Sequence, residues 1–227
     1  MLRGCSLCLR AYAGLFVILL TSACSNAAII GFNTPSGATT GGQPISAQAT
    51  FTTSANQVTI VLSNLQANPN SVVQNLSGLQ FKISSGQNSG SIASSAGVER
   101  NIAADGAFAD AGSAPTGWSL SAAGSDLKLN LLGTATAPDH TIIGPPDGSN
   151  LYSAGNGSIV NGAHSPFLGL SASFTLNVPG VTAQSTITSA TFQFNTSGGN
   201  TVPGVPEPAS LGLLALSALA TARRRAR

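Results

Sequence analysis

Two histidines, His140 and His164, share one irregular stretch with Ser165, Asp139, Asp147 and Asn150. Those residue types point to two chemistries. A histidine beside a serine and an acid can activate the hydroxyl for acyl transfer, and His164 and Ser165 are adjacent. Asp139, Asp147 and Asn150 offer the oxygen ligands that calcium takes. Spacing makes neither the leading reading. A catalytic triad is made by geometry, the chain is full of serines, and no G-x-S-x-G nucleophile turn occurs. Pro146-Asp147-Gly148 is first of all a turn signal, and no EF-hand spacing accompanies it. No catalytic residue, metal ligand or cofactor is assigned, and a secreted hydrolase stands as the remote alternative. Aromatic rings are the third chemistry, because sugars stack on them. Trp118 and Tyr152 are the candidate ligand residues of a carbohydrate-binding module. The competing role for Trp118 is a core anchor at a strand start, the commoner fate of a lone tryptophan.

The chain must fold around these residues with few charges. It has 227 residues, of which 7% are charged, and a formal net charge of +2. That sign comes from the two ends. Between residues 28 and 204 the bases are Lys82, Arg100 and Lys128, against Glu99, Asp105, Asp110, Asp126, Asp139 and Asp147, a net of −3. No basic patch exists to neutralise phosphates, which excludes a nucleic-acid partner. The three cysteines, Cys5, Cys8 and Cys24, all lie near the N-terminus. Cleavage after Ala27 would leave a mature chain with neither disulfide nor thiol nucleophile, so its stability must come from a core.

Strand patterns dominate the middle of the chain. Gln48 to Thr53 is rich in β-branched and aromatic residues, and Ser54-Ala55-Asn56 turns it into a second strand from Gln57 to Leu65. Leu79, Phe81 and Ile83 alternate with polar residues, as do Leu127, Leu129 and Leu131, and then Leu170, Ala172, Phe174, Leu176 and Val178. Ile187 to Phe194 reads as the last strand. Ser95 to Asp110 is ambiguous between a short helix and a loop. Ala137 to Pro166 is a long irregular stretch, and loops of this length are usually functional or disordered. The fold class is all-β, an antiparallel β-sandwich (jelly-roll-like or Ig-like), with a closed barrel as runner-up.

Both ends carry targeting patterns. Arg3 and Arg10 precede an apolar run from Ala11 to Leu20 that ends in small residues, a secretory signal peptide over residues 1–27. Ser25-Asn26-Ala27 fits its cleavage site. Leu20-Thr21-Ser22-Ala23-Cys24 is a lipoprotein-like rival, with its leucine one position too far from Cys24. The other end, residues 205–227, reads Val205-Pro206-Glu207-Pro208, then apolar Ala209 to Ala222, then Arg223-Arg224-Arg225-Ala226-Arg227. The 14 residues of this stretch would make roughly 21 Å of helix, a short transmembrane span for a hydrocarbon core of about 30 Å. Arg223, Arg224, Arg225 and Arg227 orient it, because basic residues stay cytoplasmic. Pro206 and Pro208 hold the motif extended outside the membrane, open to a membrane protease. A plain tail anchor is the alternative.

This tail resembles the PEP-CTERM sorting signal of Gram-negative bacteria. The resemblance implies recognition by a membrane-embedded exosortase and removal of the tail near Pro206-Glu207-Pro208. Delivery to the cell surface or extracellular matrix would follow. Ile143-Gly144-Pro145-Pro146-Asp147-Gly148, Tyr152-Ser153 and His164-Ser165-Pro166-Phe167 are similar to a recurrent set of exosortase-sorted surface proteins, as is Asn75-Leu76-Ser77-Gly78-Leu79. That likeness implies a location and a domain type, not a chemistry. The expectation is a non-enzymatic exported surface or matrix protein with a β-sandwich domain over residues 28–204, associated with exopolysaccharide or biofilm. Its expected partners are the export machinery, signal peptidase, exosortase, the membrane, and exopolysaccharide.

Overall fold

The computed structural model describes residues 29–207. The signal-peptide reading, Cys24, Pro208, the apolar segment 209–222 and the arginine cluster lie outside these described residues. Among the described residues no helix is long and apolar enough to cross a membrane.

Strands joined by turns make up nearly all regular structure among the described residues. In chain order they are β1 (Ile29–Asn33), β2 (Thr39–Thr40), β3 (Gln43–Pro44), β4 (Ala47–Ser54), β5 (Gln57–Asn64), β6 (Leu76–Ile83), β7 (Ser91–Ile102) and β8 (Phe108–Ala114). They continue as β9 (Ser119–Ala123), β10 (Asp126–Asn130), β11 (Ile142–Ile143), β12 (Phe167–Asn177), β13 (Ile187–Phe194), β14 (Thr201–Pro203) and β15 (Val205–Pro206). Among the described residues the one α-helix, α1, is a single turn at Gly157–Val160, capped by the Asn156 side chain on the Ser158 amide.

Alternation explains the strands. Ala47, Ala49, Phe51 and Thr53 of β4 are buried while the residues between them are not, and β5 mirrors this with Val58, Ile60, Leu62 and Asn64. The two join through Ala55-Asn56, where Asn56 takes the left-handed conformation (φ 57°) that asparagine tolerates better than most residues. Pairing divides the strands into two arms. One runs β15-β1-β4-β5-β12-β7-β8 and the other β14-β13-β6-β10-β9, with two-residue β11 bridging β6 and β12. Their apolar faces form a shared core, in which the Phe51 ring lies 5.3 Å from Phe81 and Trp118 lies 5.3 Å from Phe174. The all-β expectation holds. Pairing in the main sheet is antiparallel except between β11 and β12, which run parallel.

Three expectations change. Ser95 to Asp110 is a strand, a turn at 103–107 and a strand, not a helix or a loop. Its alanines and serines carry no strong alternation, and pairing with β12 decides the outcome. Leu170 does not join the inward row. A register shift between Leu168 and Ala172 turns it outward, 42% exposed, and puts Leu168 in the core. Ile187–Phe194 is not the last strand, because β14 and β15 follow it.

The long stretch from Ala137 to Pro166 is packed rather than open. Ile143, Tyr152 and Ile159 form a second apolar cluster with Val72, Ile102 and Phe167. Its backbone is tied down by Asp147 and Asn156 at the turns, and by Asn68, whose side chain meets Ser153 and the amide of Ala154.

Candidate functional site

Many polar groups of the long stretch are committed to hydrogen bonds, some within it and some to neighbouring elements. One Asp147 carboxylate oxygen accepts from the amides of Ser149 (2.8 Å) and Leu151 (3.0 Å), and the other from the Ser153 hydroxyl (2.5 Å). The Ser153 hydrogen bond, with the Leu151 amide, lowers the Asp147 pKa. Asn150 sits in the same turn at φ 62°. Among the described residues no three His, Cys, Asp or Glu side chains gather as a metal site would need. His140 places Nδ1 2.9 Å from the Thr116 carbonyl and Nε2 3.1 Å from Glu99. His164 Nδ1 lies 3.0 Å from the Ser158 carbonyl, and Ser165 turns to Asn101. Neither histidine meets a serine hydroxyl.

Trp118 and Tyr152 are buried, at 6% and 1% exposure. Trp118 packs on Phe174 and donates its indole N–H to the His140 carbonyl at 3.1 Å. Tyr152 donates its hydroxyl to the Gly144 carbonyl at 2.9 Å and accepts from Arg100 at 3.0 Å, and burial pushes its pKa up. A sugar platform needs an exposed ring face, which neither offers. Tyr152 instead ties the long stretch to β7. Its partner Arg100 carries no motif in the sequence that ties it to Tyr152, although it is one of only three Lys or Arg residues between residues 28 and 204.

The first residues of the C-terminal motif, up to Glu207, lie on the domain. β14 pairs with β13, Gly204 donates its amide to the Ala190 carbonyl, and β15 then pairs with β1, matching Asn33 to Val205 and Phe32 to Pro206. Gly204 makes the crossing between the arms. A Cβ there would lie 3.0 Å from the Phe192 ring and 3.3 Å from Phe32. Pairing therefore runs past residue 204 into the motif. Val205 is half exposed, and Pro206 and Glu207 are partly buried. The Glu207 amide donates to the Gly31 carbonyl at 3.0 Å. Its carboxylate Oε1 accepts from Gln48 Nε2 at 2.6 Å and Asn33 Nδ2 at 3.3 Å. Gly31, Asn33 and Gln48 carry no signal in the sequence that ties them to residue 207. Only strand pairing brings them together.

Residues 204–226 match the family model of the PEP-CTERM protein-sorting motif. The motif marks an exosortase-sorted exported protein, anchored in the membrane as a precursor and processed at the cell envelope. The match covers about a tenth of the chain. No curated protein and no solved structure matches the chain.

Proposed function

We propose that the β domain is a non-enzymatic building block of the cell surface or extracellular matrix, released there by exosortase near Pro206-Glu207-Pro208. The carrying observation is the match of residues 204–226 to the sorting motif. An N-terminal secretory pattern and a domain with few charges support it. In this reading the signal peptide starts export and the apolar stretch stops the chain in the membrane. Arg223, Arg224, Arg225 and Arg227 then keep the far end cytoplasmic. Removing the tail frees a folded domain whose polar, uncharged surface suits hydrated exopolysaccharide. The intact mass of the surface-released protein tests this. A mass lacking both ends is expected, with a Pro206-Glu207-Pro208 to Ala-Ala-Ala variant held in the membrane at full tail length. An intact tail in both chains would mean a permanently anchored protein.

A further inference from the structure

Of the whole motif, Glu207 carries the only acid, and the domain already holds it. We propose that the β1 edge is a docking site for the sorting motif, which withholds Pro206-Glu207 from the exosortase until β15 lifts away. The proposal rests on the tail being an exosortase substrate. The seat is specific. Backbone pairing fixes the register, and two neutral amides, Gln48 and Asn33, converge on one carboxylate oxygen. Gly31 supplies the space. A Cβ there would lie 2.5 Å from the Glu207 carboxyl carbon and 2.7 Å from its Oε2. The carboxylate thus occupies the volume a side chain at position 31 would take. Extended peptides are commonly bound by backbone pairing with an exposed sheet edge, and here the Glu207 amide is already paired to β1. The chain from Glu207 to Ala209, where the apolar stretch begins, spans at most about 7 Å. An anchored precursor therefore presents its motif close to both the membrane and the domain edge that holds it. Opening β15 becomes a step before cleavage, and cleavage follows the open population when opening is fast.

Substitutions in the seat leave the motif unchanged, so they separate docking from recognition. Full-length precursor in its exosortase-containing host is followed by pulse-chase for tail loss. Exchange of the Glu207 amide is followed in the detergent-solubilised full chain. Gly31→Ala displaces the carboxylate and Gln48→Glu repels it, and both should speed tail loss and amide exchange by about three- to tenfold. Gln48→Lys should slow both by a similar factor. Opposite effects at one position are not what mere destabilisation produces. Equal rates in all chains, or a Glu207 amide unprotected in the unmodified chain, overturn the proposal. A protected amide that responds to these variants, with no tail loss in any chain, supports the seat and sinks the sorting reading instead.

Discussion

Arg100 shows how one residue can govern a chain with few charges. It is 5% exposed, and its Nε and Nη2 donate to the two oxygens of Asp110 at 2.7 and 2.8 Å. Nη1 donates to the Tyr152 hydroxyl, and the guanidinium carbon lies 4.0 Å above the Phe108 ring. The β7–β8 hairpin and the long stretch are thereby joined through a single cation. Breaking a fully buried pair costs about 3–5 kcal/mol. The Asp110 side chain is 40% exposed, so solvent screens part of that. Asp110→Ala should cost about 2 kcal/mol in urea unfolding, because Arg100 is left buried without its acid. The pair also sets a pH dependence. The hydrogen bond from Arg100 lowers the Asp110 pKa below its ordinary value. A carboxyl whose folded pKa is depressed contributes stability that is present above its unfolded value, near 3.9, and lost as pH falls through the folded one. The urea midpoint should therefore fall between pH 5 and pH 3, and Asp110→Asn should flatten part of that fall. A variant as acid-sensitive as the unmodified chain would assign the loss to other carboxylates, Asp147 among them.

Strands legible in the sequence are those whose two faces see different surroundings. β4, β5 and β10 have a buried face and a wetter one throughout, and β6 has them from Leu79 to Ile83 and β13 from Ala190 to Phe192, so period-two alternation marks them. β7 and β8 are largely exposed and built of small residues, so nothing in their composition separates strand from helix. The motif at 205–207 reads as a free extended tail because its partners are distant in sequence: Asn33 is 174 residues from Glu207. The bulge in β12 is invisible for another reason. Alternation assigns Leu170 to the core, while the register shift exposes it at φ 65°, a region that side chains other than glycine and asparagine rarely take. The bulge therefore holds backbone strain with little core burial in return. Leu170→Asn should stabilise the domain by about 0.5–1 kcal/mol, a rise of about 1–4 °C in Tm by calorimetry. A drop in Tm would mean that the half-exposed leucine carries packing worth more than the strain. By contrast Phe51→Ala, which empties the contact between the arms at Phe81, should cost about 3–5 kcal/mol.

At the scale of the whole molecule, the strand path begins at β14 and ends at β15, and a single residue, Gly204, joins the two. The last seven described residues thus fasten one arm to the other. β14 extends the β13 side and β15 extends the β1 side, while Gly204 covers Phe192 and Phe32, which are 0% and 2% exposed. Where the tail is cut then matters to the fold that remains. A chain ending at Glu207 keeps the crossing and both strand pairings. A chain ending at Asn200 loses them, uncovers the edges of two phenylalanines and frees the ladder groups of β1 and β13. A few backbone hydrogen bonds at about 1 kcal/mol each, with partial exposure of two rings, amount to roughly 3 kcal/mol. For a domain of this size that is a fall of about 6–12 °C in Tm. Residues 28–207 and 28–200 should both be compared by calorimetry, with hydrogen exchange on β1. Loss of protection in β1 together with the lower Tm would show that the first residues of the sorting motif belong to the domain's closure. Equal Tm and equal protection would show that the two arms hold without their fastener, and that residues 201–207 rest on the domain without supporting it.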